Sequence, residues 1–170
     1  MKCEKILQEV VRGALVVAVS AALGYVVSRT VACTVTVSGN SMEPTYHDGD
    51  VLVVQRLGYH PEHGDVVILR SEARGLMIKR VVGLPGDTIA IEDSTAYRNG
   101  EALEEAYTAP GIYRGLDSPA HIEDGHVFVL GDNRPYSCDS RSDDVGQIPA
   151  EDIMGGVVFR LWDAGEEAVA

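Results

Sequence analysis

At 170 residues the chain is long enough for one domain with its own core plus an appended segment. Its 14 Lys and Arg stand against 26 Asp and Glu, a formal net charge of -12, which argues against a nucleic-acid partner, since phosphates call for clustered cations. The three cysteines, Cys3, Cys33 and Cys138, lie far apart and form neither a disulfide framework nor a zinc-ligand pattern.

The chain opens with Lys2, Lys5 and Arg12 against Glu4 and Glu9, so the acidity belongs to the remainder of the chain. Between Arg12 and Arg29 lie 16 uncharged residues, mostly apolar from Gly13 to Val27. With Val10, Val11 and Val31 to Cys33 extending the run and both arginines able to snorkel, this pattern predicts a transmembrane helix. A cleavable secretory signal has the same outline. No clear small-x-small site precedes a polar start here, and the apolar pattern runs nearly to Ser38, so a retained anchor is expected. The basic residues gather on its N-terminal side, which predicts a cytoplasmic N-terminus and an extracytoplasmic domain at a cell membrane. The expected division is 1–33, stub and anchor, and 34–170, an extracytoplasmic domain.

After the anchor come short β-branched runs separated by Gly, Pro and Asp: Thr34 to Val37, Asp50 to Val54, Asp65 to Leu69, Leu76 to Val82, His126 to Leu130 and Gly156 to Leu161. These read as strands. Asp87 to Glu92 alternates in polarity, and Asn99-Gly100 is a dipeptide that closes type I′ hairpins. The polar stretch Thr108 to Asp124 reads as a surface excursion. No long helical period appears after the anchor, so the domain is expected to be mainly antiparallel β.

Two segments carry the chemistry. Ser41 lies in Ser38-Gly39-Asn40-Ser41-Met42-Glu43-Pro44-Thr45, a turn after a strand, and Lys79 lies within the apolar run Leu76 to Val82. A serine hydroxyl needs a base to become a nucleophile, and a lysine serves only if burial leaves its amine neutral. Alternation along a strand turns Arg80 away from Lys79, which makes it a poor base. His60-Pro61-Glu62-His63 has turn neighbours and too few ligands for a metal, and Cys138 has no suitably spaced histidine to activate it. No metal or cofactor is expected.

The blocks Ser38 to Thr45, Gly64 to Val67, Lys79 to Asp87 and Gly131-Asp132-Asn133-Arg134-Pro135-Tyr136-Ser137-Cys138-Asp139-Ser140-Arg141 resemble, in order and spacing, the boxes of type I signal peptidases of the bacterial Ser/Lys-dyad kind. The resemblance covers about Ser38 to Trp162. It implies a β-barrel-like core behind one transmembrane helix. It implies a serine endopeptidase, with Ser41 as nucleophile and Lys79 as general base, that removes signal peptides from exported preproteins after a small-x-small site. Ser137 matches the serine that hydrogen-bonds the lysine amine, and Asp139 and Arg141 match a supporting ion pair. Gly131, Asp132 and Asn133 would shape the turn that carries Ser137.

The backbone N–H of Ser41 is the obvious oxyanion donor. Many relatives carry a hydroxyl residue where this chain has Gly39, so the second donor is left between the Asn40 amide and a backbone group of the Gly39 turn. Met42 and nearby Val or Ile residues are candidate walls for a shallow pocket that admits small side chains. The expected partners are preprotein signal peptides and the lipid bilayer. A self-cleaving repressor-type peptidase is disfavoured because the chain lacks a DNA-binding helix pair. A domain that keeps this shape and only binds peptide is disfavoured by the intact Ser41, Lys79 and Ser137 set.

Overall fold

The computed structural model describes residues 2–165 along the backbone, and the side chains of residues 8–25 and 31–165. Among the described residues one α-helix, α1 (Lys2–Thr30), leads into eleven strands, with a 3-10 turn at Ala150–Asp152 before the last: β1 (Ala32–Thr36), β2 (Val51–Gln55), β3 (Val66–Ser71), β4 (Gly75–Gly83), β5 (Thr88–Glu92), β6 (Thr95–Arg98), β7 (Glu101–Ala102), β8 (Ala120–His121), β9 (His126–Leu130), β10 (Ile148–Pro149) and β11 (Ile153–Trp162). Every pairing among them is antiparallel. They form a seven-stranded sheet in the order β1-β2-β11-β3-β4-β9-β10 and a four-stranded sheet in the order β7-β6-β5-β8.

The mainly antiparallel β expectation holds, but the large sheet is open. Its edges β1 and β10 pair with other strands and not with each other, so no closed barrel forms among the described residues. One edge is a two-residue strand ending in Pro149, whose missing N–H blocks further pairing. The other edge, β1, runs into the turn that carries Ser41.

The α1 helix exists where the apolar run predicts it. Among the described residues, however, no helix is long and apolar enough to cross a membrane. The described side chains of α1 begin with Gln8 and Glu9 and include Arg12, which dilute the apolar run behind them. The side chains of Lys2, Cys3, Lys5 and Arg29, which bear on the predicted orientation and on one of the three cysteines, lie outside the described residues.

The strands close over three apolar clusters. Val37, Met42, Leu52, Val54, Val66, Ile68 and Ile78 fill the first, beside β1 and β2. Val67, Leu69, Val81, Val127, Val129 and Ile148 fill the second, on the other face of the same sheet. Opposite-face packing follows from strand alternation: Val67 and Ile68 are neighbours in β3 yet belong to different clusters. The third, around Ile89, Ile91, Ile122 and Phe128, packs the small sheet against β4 and β9. Asn99 and Gly100 have φ of 55° and 85°, the left-handed pair a type I′ turn needs, and they join β6 to β7 as expected. The Thr108 to Asp124 excursion is more anchored than its polarity suggests, because Ala120 and His121 pair with β5 and Ile122 is buried.

Candidate active site

Ser41 is presented by the turn that follows β1. Gly39 takes φ 88°, a left-handed conformation suited to glycine, and its N–H donates to Asp48 Oδ1 at 2.7 Å. Met42, next to Ser41, is fully buried among Val37, Leu52 and Val54. It therefore pins the turn from beneath and does not line the cleft beside Ser41. From the far side Asn133 clamps the turn, its N–H donating to the Ser41 carbonyl at 3.0 Å and its Nδ2 to the Asn40 carbonyl at 2.9 Å.

Lys79 comes from β4, which is paired on one side with β3 and on the other with β9. That interior position leaves it 3% exposed. Its Nζ donates to Ser41 Oγ at 2.8 Å and to the Ile78 carbonyl at 2.8 Å. Burial pulls the amine down from its ordinary 10.5 to about 8, against the opposing pull of the Asp139 carboxylate. Desolvation wins because a buried ammonium loses its hydration and no carboxylate contacts it to compensate. When the amine is neutral, its lone pair can accept the Ser41 proton along the same 2.8 Å contact.

The loop after β9 supports this pair. Asp139, fully buried, forms a two-point ion pair with Arg141, Nε to Oδ1 at 2.7 Å and Nη2 to Oδ2 at 2.9 Å, and accepts the Gly131 N–H at 2.9 Å. Arg141 also donates to the carbonyls of Arg134 and Ser137. Ser137 departs from the expectation: its Oγ is buried and makes no hydrogen bond, so the contact with Lys79 is not formed. Nζ is instead directed at Ser41 and Ile78, while Ser137 packs against Gly131, where an added Cβ would fall 2.1 Å from Ser137 Oγ.

A cleft of about 420 Å³ runs up to this centre. Val35 to Ser41 form one wall, Ile68, Arg74 and Leu76 to Lys79 the other, and Tyr136 and Cys138 complete it. Gly39 and Asn40 both line it and both are exposed. Cys138 is a half-buried free thiol. Away from the cleft, His63 pairs with Asp87 at 2.6 Å. His47, Asp50 and Asp163 lie close enough together for a metal ion, but the Arg160 guanidinium already pairs with both carboxylates.

Sequence reasoning missed one part of the site. Arg80 makes a bidentate ion pair with the fully buried Asp132, at 2.8 and 2.5 Å, donates to the Gly64 carbonyl and stacks 4.0 Å from the Tyr107 ring centre. Thr45 donates to the same Asp132 carboxylate. The turn that carries Ser41, the strand that carries Lys79 and the loop after β9 are thus tied together behind the Ser41–Lys79 contact. Strand alternation indicates that Arg80 faces away from Lys79, but nothing in the sequence names its partner.

A buried lysine bonded to a serine hydroxyl at the end of an apolar cleft is an arrangement of serine hydrolases that use no histidine. The profile of the family "Signal peptidase, peptidase S26" matches residues 7–162. Signal peptidase IB of Staphylococcus aureus is 31% identical over 179 aligned positions, covering 94% of this chain and 93% of that protein. The "probable signal peptidase I-1" of a Synechocystis species is 35% identical over 140 positions, covering 75% of this chain and 70% of its own. A crystal structure of a signal peptidase I from Enterococcus faecalis superposes with a TM-score of 0.51 at 32% identity, over 58% of this chain and 97% of that one. The chain belongs to the signal peptidase family and is a serine endopeptidase.

Proposed function

We propose that this chain is a membrane-anchored signal peptidase I that cuts exported preproteins after a small-x-small site, with Ser41 as nucleophile and Lys79 as general base. The observation that carries the reading is the 2.8 Å hydrogen bond from the buried Lys79 amine to Ser41 Oγ at the end of the cleft. Neutral Lys79 takes the Ser41 proton as Oγ adds to the scissile carbonyl. The tetrahedral oxyanion is held by the Ser41 N–H, with Asn40 or the Gly39 turn as second donor. Protonated Lys79 then delivers its proton to the departing amine, leaving an acyl-enzyme. Water, deprotonated in turn by Lys79, frees the signal peptide and restores Ser41.

The substrate lies extended along the cleft, adding its backbone beside β1 and β4 so that alternate side chains meet the walls. Val35, Val37, Ile68 and Ile78 supply an apolar lining in which small side chains fit. Asp139 and Arg141 hold the loop whose Tyr136 and Cys138 line the cleft, and Ser137 lies within it.

Residues 1–33 serve as stub and anchor, 34–170 as the extracytoplasmic peptidase. Among the described side chains of α1, the large aliphatic ones, Val10, Val11, Leu15, Val16, Val17, Val19 and Leu23, are each more than half exposed. They point around the helix rather than along one stripe, as suits a lipid environment. Val158, Phe159, Leu161 and Trp162 of β11 are likewise exposed, and would let the domain rest on the same bilayer. Lys2, Lys5 and Arg12 on the N-terminal side support a cytoplasmic N-terminus.

The test is cleavage of a purified Ala-x-Ala precursor in detergent by the wild-type chain and by Ser41→Ala, with the new termini located by mass spectrometry. Cleavage after the second alanine by the wild type, and a loss of at least about 10³-fold in Ser41→Ala, is expected. No cleavage by either protein would return the chain to a peptide-binding role.

A further inference from the structure

Among the described residues lining the catalytic cleft only two are charged, Lys79 and Arg74. The Lys79 amine is occupied with Ser41 and the Ile78 carbonyl. Arg74 is therefore the cation placed to read the charge of whatever fills the cleft. It sits in the turn between β3 and β4, with its side chain 48% exposed and Nη2 donating to Asp144 at 2.9 Å. The rest of the wall on that side, Ile68, Leu76, Met77 and Ile78, is apolar.

The position of Arg74 sets a register. Both walls approach the dyad from their N-terminal ends, Val35 to Ser41 on one side and Arg74 to Lys79 on the other. The cleft thus leads up to the scissile bond from a single side. An enzyme that recognises small residues ahead of the cut must place the preceding part of its substrate there. Lys79 marks the cut, β4 is extended from Gly75 to Lys79 with Arg74 in the turn at its start, and an extended substrate rising about 3.3 Å per residue meets that turn about five residues ahead of the cut.

We propose that Arg74 is a specificity-determining residue that favours substrates with an acidic side chain about five residues before the cleaved bond. The inference rests on the signal-peptidase reading of the cleft and adds to it a charge preference at a remote position. The substrate carboxylate shares the guanidinium with Asp144. That sharing is feasible because the present pair is exposed and weak, and because an arginine fork carries five N–H donors. The contact lies far from the reacting carbonyl and is made equally in ground and transition states, so it acts on KM.

The experiment uses the full chain in detergent with precursors sharing one Ala-x-Ala site and differing only at the fifth residue before the cut: Asp, Ser or Lys. The same triplet moved to the third residue serves as control. For the wild type, kcat/KM is expected to fall about threefold to tenfold from Asp to Lys at the fifth position, mostly through KM, and to fall less in high salt. Arg74→Ala levels the three substrates, Arg74→Glu reverses their order and Arg74→Lys keeps it. The proposal is overturned if the wild type cuts all three equally, if Arg74→Ala keeps the preference, or if the preference appears at the third residue instead. Failure of the wild type to cut any precursor would overturn the signal-peptidase reading as well, so the two failures are distinguishable.

Discussion

Replacing Lys79 with methionine separates what burial does for catalysis from what it does to stability. The amine is 3% exposed and titrates at about 8 instead of 10.5. At pH 7 about 10% of the molecules therefore hold it neutral, roughly 300-fold more than an unshifted lysine would. The same shift weighs on the fold. Between pH 8 and 10.5 the unfolded chain binds a proton that the native state does not, so stability rises with pH across that window. Below about pH 8 the native state carries the full penalty, on the order of 3 kcal/mol. Lys79→Met removes that penalty, and it also loses a hydrogen bond to Ser41 worth about 1 kcal/mol. The variant should be inactive yet about 1–3 kcal/mol more stable at pH 7 by urea unfolding. Its advantage should shrink above pH 8 and be gone by about pH 10.5. Every other group is common to both proteins, so the difference curve reports Lys79 alone. A variant less stable than wild type at pH 7, or a difference that does not change between pH 7 and 10, would refute the claim that desolvation sets the state of this amine.

Wild-type kcat/KM should rise about tenfold per pH unit up to about pH 8 and then level off; a pH-rate profile flat down to pH 5 would remove lysine as the base. Gly131→Ala would put a Cβ 2.1 Å from Ser137 Oγ and 2.5 Å from the Ser41 carbonyl, so it should lower activity at least about tenfold and reduce stability by about 2 kcal/mol or more; thermal melting and precursor cleavage read both effects. Asp139→Ala leaves Arg141 without its carboxylate and the Gly131 N–H without its acceptor, at an expected cost of about 3–5 kcal/mol, and calorimetry measures it. Asp132→Ala breaks the corresponding pair with Arg80 and should cost a similar amount by the same measurement.

The strands are legible in the sequence because their evidence is local. β-branched runs and period-2 alternation state which residues can share a sheet, and Asn99-Gly100 states where a hairpin turns. The pairing of Ser41 with Lys79 is legible for a different reason. Ser41 and Lys79, 38 residues apart, sit in long, unusual strings, and only the strings link them, since spacing says nothing about distance across a sheet. Hidden from the sequence is whatever depends on rotamers and on long-range closure. Met42 neighbours Ser41 and so reads as a pocket wall, but strand and turn geometry aim adjacent side chains in opposite directions, and the apolar one goes to the core. Ser137 has the position of a lysine partner in its box, yet its hydroxyl settles against Gly131, a contact only possible because Gly131 lacks a Cβ. The sheet's openness cannot be read, because a two-residue edge strand such as β10 carries no periodicity at all. The tie among Thr45, Arg80 and Asp132 is the strongest case. It spans 87 residues and leaves no local pattern, yet it is a buried charge network that ties together the three segments carrying the site. A charged residue directly after the buried Lys79, on the opposite face of a central strand, has nowhere to go but inward, and an inward arginine requires a buried carboxylate. The physical demand for a partner is therefore visible at Arg80; only the partner's address, Asp132, has to come from the fold.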